Sequence, residues 1–113
     1  MLARAAAIKQ ATLNAMAVPL EVAGLAVTTL GLLEQIIILC NINAISDGGS
    51  AAMLALASLG GAALNVRTNA KDLRGDEQVQ AMLQELVELE NQARQIEGNI
   101  RGALMALGGI EAS

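Results

Sequence analysis

Over the last third of the chain, apolar side chains recur at alternating steps of three and four: Val79, Met82, Leu86, Leu89, Ala93, Ile96, Ile100, Ala103 and Leu107. So regular an alternation predicts one helix over about 76–107 with a single buried seam. Charged residues lie largely off that seam. Glu90 precedes Arg94, and Glu97 precedes Arg101, in the favourable order at a separation of four. Leu86 and Ile96 are therefore expected in the core, and Glu90 and Arg94 in solvent. Gly108-Gly109 ends the helix, as glycine commonly does. The seam reads as packing or dimer surface.

The first segment, about 2–40, shows a different pattern. It carries no loop signal and reads as one long helix or two joined at Pro19, with a kink near 15–19, because proline removes a backbone donor and crowds the preceding turn. One apolar stripe runs through Leu13, Met16, Leu20, Ala23, Ala26 or Val27, and Leu30. A second runs through Val18, Val22, Leu25, Leu32, Ile36 and Leu39. A helix apolar nearly all round needs cover on more than one side. The expected architecture is all-α: one helical domain over 1–113, a bundle of long helices completed by assembly into a dimer or larger homo-oligomer.

Between these segments lies a polar knot, Asn41 to Ser50, followed by a middle helix over about 48–66. Ser46 or Asp47 is placed to cap that helix, since either side-chain oxygen can accept from free backbone N–H groups at its start. A carboxylate there also suits the positive end of the helix dipole. Capping leaves Asn41 and Asn43 unexplained.

Composition narrows the chemistry. The chain is 54% apolar yet has no Phe, Tyr or Trp, so its core is built from Ala, Leu, Ile, Val and Met. A net charge of −4 with scattered basic residues argues against nucleic acid as a partner. Without histidine, and with the single cysteine Cys40, neither a disulfide framework nor a zinc site is expected. Cys40 follows an isoleucine-rich run and reads as a small buried hydrophobe. Gly48 to Val66 is an uncharged run long enough to span a bilayer. Its four glycines, two serines and Asn65 favour a buried helix in a soluble bundle, so no membrane partner is expected. No signal peptide is visible at the start, and a cytoplasmic location is expected. The usual nucleophile–base constellations cannot be drawn. The remaining Asn, Ser, Asp and Arg suit a reaction whose substrate carries its own electrophile, with the protein orienting it and supplying one acid or base.

The order Asn41-x-Asn43-x-x-Ser46-Asp47-x-Gly49-x-Ala51-Ala52, then Gly61-Ala62-x-x-Asn65-Val66-x-x-Asn69, with Leu73 and Asp76, resembles the formiminotetrahydrofolate cyclodeaminase and methenyltetrahydrofolate cyclohydrolase family. Ala11-Thr12 to Val18-Pro19-Leu20-Glu21-Val22-Ala23 also looks like that family, so the resemblance covers about 8–77. It corresponds to the back half of the family fold, without the proline-glycine-glycine-glycine-serine segment of the first half. The resemblance implies a tetrahydrofolate derivative as substrate, with no metal. The family cyclises formiminotetrahydrofolate with loss of ammonia, or hydrolyses methenyltetrahydrofolate to the formyl form. Asp47 would be acid, base or cation stabiliser, and Asn41, Asn43 and Asn65 would supply amide donors and acceptors. Arg67 would meet the glutamate tail, and Ser46 and Asn69 complete the candidate substrate-binding set. The competing class is a non-catalytic helical protein that self-assembles through its apolar faces, with the polar knot serving only as a cap.

Overall fold

A computed structural model describes residues 2–39, 41 and 43–109. Cys40 lies outside the described residues. The fold is all-α. Helix α1 spans Leu2–Ile37, α2 spans Ile45–Ala70 and α3 spans Glu77–Gly108, with a single 3₁₀ turn at Lys71–Leu73 before α3. The helices run up, down and up in a rod of 62 × 19 × 17 Å.

Three heptad seams make the core. Met16, Ala23, Leu30 and Ile37 come from α1; Ile45, Ala52, Leu59 and Val66 from α2; Val79, Leu86, Ala93 and Ile100 from α3. None of the twelve is more than 5% exposed. A seven-residue repeat keeps one stripe facing its neighbours along the full length of a long helix, which is why so slender a rod can be packed along its axis. Met82, Leu89 and Ile96 flank the α3 seam half-buried. At its end Leu104 is buried in place of the expected Leu107, which is 48% exposed. Gly49 accounts for the change. A Cβ there would lie 3.1 Å from Leu104 Cδ1, so the missing side chain on α2 admits the leucine.

The start of α2 corrects the expected cap. Its N-cap is Ala44, with no side-chain hydrogen bond, and Ser46 and Asp47 lie within the first turn. Ile45 is the reason: it is buried at 2% exposure, and seating it in the core draws the helix start upstream. Asn41 organises the link instead. Its Oδ1 accepts from the Asn43 N–H at 2.7 Å, and its carbonyl accepts from the Ala44 N–H at 2.8 Å. This is an Asx turn, the local structure that asparagine favours. Asp47 remains beside the positive end of the dipole.

At α3 the sequence signal and the structure coincide. Asp76 is the N-cap and accepts from the N–H groups of Gln78 at 2.9 Å and Val79 at 3.2 Å. Gly109 closes the helix in the left-handed conformation, φ 61°, its N–H donating to the Leu104 carbonyl.

Polar clasps join the helices at their edges. Lys9 Nζ lies 3.0 Å from Asp76 Oδ2, and the Asn99 amide donates to Glu34 Oε2 at 2.6 Å. Arg67 makes a bidentate pair with Glu90, at 2.9 and 2.5 Å. Glu90 therefore reaches across to α2 and is not in the solvated pairing expected with Arg94, whereas Arg101 does bond Glu97. That pair holds the Glu90 carboxyl below its ordinary range and the Arg67 guanidinium above its own.

The second apolar stripe of α1 is uncovered. Val18, Val22, Leu25, Leu32, Ile36 and Leu39 are between 38% and 82% exposed. Two segments, Leu2–Ile37 and Ile45–Leu73, are long and apolar enough to cross a membrane by length and composition.

Candidate functional site

Proline shapes an open hollow between α1 and α2. Helix α1 continues through Pro19, which leaves the carbonyl four residues earlier, on Ala15, without its helical donor. Asn69 of α2 supplies the replacement. Its Nδ2 donates to the Ala15 carbonyl at 3.3 Å and to its own Asn65 carbonyl at 3.0 Å. Beyond this clasp, small residues on α2 leave room between the helices. The result is an open groove of about 570 Å³. Ala15, Val18, Pro19 and Val22 line one side; Ser58, Gly61 and Ala62 line the other. Three asparagines supply its polar edge: Asn14, Asn65 and Asn69. An apolar trough with a few convergent amides is the usual build of a small-molecule site.

The amides differ in availability. Asn69 has committed its donor. Asn14 accepts from Gln10 Nε2 at 2.9 Å. The Asn65 carboxamide, exposed at the groove, makes no hydrogen bond among the described residues, so it can both donate to and accept from a ligand.

The sequence candidates fall into three places. Asn65 and Asn69, four residues apart on α2, share the groove face. Arg67 sits between them in sequence but turns to the opposite side of the helix. There it lines a smaller hollow of about 290 Å³ with Arg74 and Leu83, and it is already engaged by Glu90. Asn41, Asn43, Ser46 and Asp47 gather at the far end of α2, all exposed. Ser46 borders a shallow hollow shared with Met53 and Leu104. Asp47 makes no hydrogen bond or ion pair among the described residues. Eighteen residues separate Asp47 from Asn65, about 27 Å along the helix axis at 1.5 Å per residue. Eighteen residues are also five full turns, so the two side chains lie on one stripe of α2. One chain therefore presents the carboxylate and the groove on the same face, too far apart to hold one small substrate together.

Pro19, Ala15 and Asn14 also line the groove, and the polar pattern of the sequence alone does not mark them as site residues. The signal was present: an interior proline implies an orphaned carbonyl four residues back, and a polar side chain must be near it. Among the described residues, no group of three or more His, Cys, Asp or Glu is placed to hold a metal ion.

A model of the formiminotransferase-cyclodeaminase family matches residues 2–88. The chain belongs to the formiminotransferase-cyclodeaminase family. The match takes in α1, α2 and the first third of α3, and with them every candidate site residue. Neither a curated protein nor a solved structure matches the chain. Membership in this family relates the chain to folate metabolism.

Proposed function

We propose that the protein is a cytoplasmic folate enzyme of one-carbon metabolism, a cyclodeaminase or cyclohydrolase acting on formimino- or methenyltetrahydrofolate. The family match carries this reading, and the amide-edged apolar groove supports it. The face of the flat pyrimidine ring of a reduced pterin suits the trough between Val18, Val22 and Ala62, with the hydrogen-bonding amino and oxo edge of that ring against the Asn65 carboxamide. Asp47 supplies the charge the chemistry needs from another copy of the chain, since within one chain it lies about 27 Å from the groove. In the hydrolytic direction water adds to the cationic methenyl carbon, a proton leaves, and one carbon–nitrogen bond opens to give the formyl form. A carboxylate stabilises that cation and accepts the proton. In the cyclising direction, the anilino nitrogen N10 attacks the carbon of the formimino group carried on ring nitrogen N5, and the formimino nitrogen departs as ammonia after protonation.

Titration calorimetry with methenyltetrahydrofolate tests the reading. The expected result is saturable binding that Asn65→Ala weakens about tenfold, the loss of one well-placed hydrogen bond. An absence of binding, or binding indifferent to Asn65→Ala, removes the groove as the folate site. A second reading, a non-catalytic self-assembling helical protein, is favoured by one observation: the separation of Asp47 from the groove within a chain. It predicts association without folate binding.

A further inference from the structure

The end of α2 gathers positive charge in a chain whose net charge is −4. Arg67, Lys71 and Arg74 are three of its seven basic residues. Arg67, Ala70 and Arg74 are spaced by three and then four, so helical register sets them on one side of the chain. There they line the hollow of about 290 Å³ with Leu83 and Val87 of α3. Cations near a helix C-terminus suit its dipole, which accounts for Arg67. It does not account for Arg74, which lies past both α2 and the 3₁₀ turn that follows it, nor for the apolar floor between the two arginines.

Both guanidinium groups have donors to spare. Arg67 gives Glu90 one N–H from each terminal nitrogen, at 2.9 and 2.5 Å. A guanidinium carries five N–H donors in a fixed fork, so further donors remain on Arg67. The Arg74 side chain makes no hydrogen bond or ion pair among the described residues, and its carbonyl accepts from Gln80. On α3 the positions beside Leu83 and Val87 on the open flank are Gln80, Gln84 and Asn91, all uncharged, while Glu77, Glu85 and Glu88 fall further round the helix. Asp72 does not line the hollow. An acidic chain thus keeps all carboxylates but Glu90 away from this rim.

We infer that this hollow is a binding site for a small oxyanion with an apolar body, a carboxylate or a phosphate monoester. Its anionic group meets Arg67 and Arg74, and its carbon skeleton rests on Leu83 and Val87. Guanidinium forks suit planar carboxylate and phosphate oxygens, and the apolar floor favours a ligand with a body over a bare ion. The volume lies at the small end for ligand sites, which limits that body to roughly one ring or a short chain. Arg67 stays clasped to Glu90 while the ligand takes its unused donors, so the ion pair holds the fork ready in advance. Arg67 projects from the side of α2 opposite the Asn65 groove. The site therefore stands apart from that groove, and the inference does not rest on the folate reading.

Titration followed by NMR at the arginine Nε–H signals tests the site with three probes: inorganic phosphate, phenyl phosphate and benzoate. Phenyl phosphate or benzoate should give saturable shifts at Arg67 and Arg74 and bind about tenfold more tightly than inorganic phosphate. The tighter of the two identifies the oxyanion. Arg74→Gln should weaken that probe about tenfold, as loss of a charge-assisted hydrogen bond does. Val87→Gln should weaken it several-fold by making the floor polar. Both positions are exposed, so the thermal midpoint should stay the same in both variants. Shifts that do not saturate, equal affinity for inorganic phosphate and the two larger probes, or binding indifferent to either substitution overturns the site. Methenyltetrahydrofolate binding should be unchanged by Arg74→Gln, and a loss there overturns the separation of this hollow from the groove. Phenyl phosphate or benzoate bound by a chain that takes up no folate upholds this site and removes the folate reading.

Discussion

Helix α1 carries two apolar seams only two residues out of step. Met16, Ala23, Leu30 and Ile37 are at most 1% exposed, while Val18, Leu25 and Leu32, and Leu39 in the turn that follows the helix, are more than half exposed. Hydrophobicity alone does not distinguish them; the outer seam is if anything the bulkier. The difference lies in what the rest of the chain supplies. Helices α2 and α3 present enough apolar surface to close one side of α1 and no more. Periodicity therefore reports that a face favours burial, and the partner that buries it has to be found elsewhere.

The largest test of that contrast is a pair of leucines two residues apart. Leu30→Ala should cost about 2–5 kcal/mol, as truncation in a packed core does. Leu32→Ala should stay within about 0.5 kcal/mol at dilution, where copies are separate. Its cost should grow with protein concentration if the outer seam pairs. Thermal melts at two concentrations read both effects. Equal losses at dilution would erase the distinction between the seams.

Pro19 lies between the two faces and tests how α1 is held against α2. Replacing it with alanine restores a helical donor to Ala15, and the chain should gain up to about 3 kcal/mol. Asn69→Ala should cost about 1 kcal/mol in the natural chain and less once Pro19→Ala has returned the lost donor. A double-mutant cycle by urea denaturation measures the coupling. Additive effects would show that Asn69 does not act through the Ala15 carbonyl.

Acid separates the faces more gently. The Asp76 carboxyl is held below its usual range by the hydrogen bond from Lys9 and by the Val79 N–H. The Glu90 carboxyl is held low by Arg67. Both contribute stability above the unfolded carboxylate value of about 4. Both lose it as pH falls through their depressed folded values. The inner side should loosen in that window, and the urea midpoint should fall with it. The outer seam has no titratable side chain, so dimerisation read by light scattering should hold for as long as the fold does. High salt should shrink the acid effect, because both pairs are partly exposed.

How much could be read in advance followed from how sharply each helix is divided. Helix α3 alternates apolar and charged positions, and Val79, Leu86, Ala93 and Ile100 were legible as its buried seam, whereas Ile96, expected in the core, is half-buried, and at the end Gly49 on another helix decides for Leu104. Helix α1 lacks such division. Its two stripes were visible, but which one is internal depends on α2 and α3. The expected cap at Ser46 or Asp47 weighed local hydrogen bonding and missed the burial of Ile45, which sets the start of α2. The polar residues of the site were identifiable as a set. Their arrangement was not, because the turn angle that parts Arg67 from Asn65 and the length that parts Asp47 from both emerge only along a continuous helix. Arg67's partner, Glu90, lies 23 residues away on a different element, beyond local pattern.

A helix that shows similar polarity in every direction has no preferred azimuth of its own. Rotating α1 to exchange its seams would leave the polarity it presents to the core nearly unchanged, so apolar contact alone selects weakly between two assemblies. The carbonyl freed by Pro19 breaks that degeneracy. It is a single polar mark on an otherwise featureless cylinder, and Asn69 reads it. What looks like a flaw in the hydrogen-bond ladder becomes the reference by which the helix is indexed, and it fixes both which leucines are enclosed and which stay at the surface.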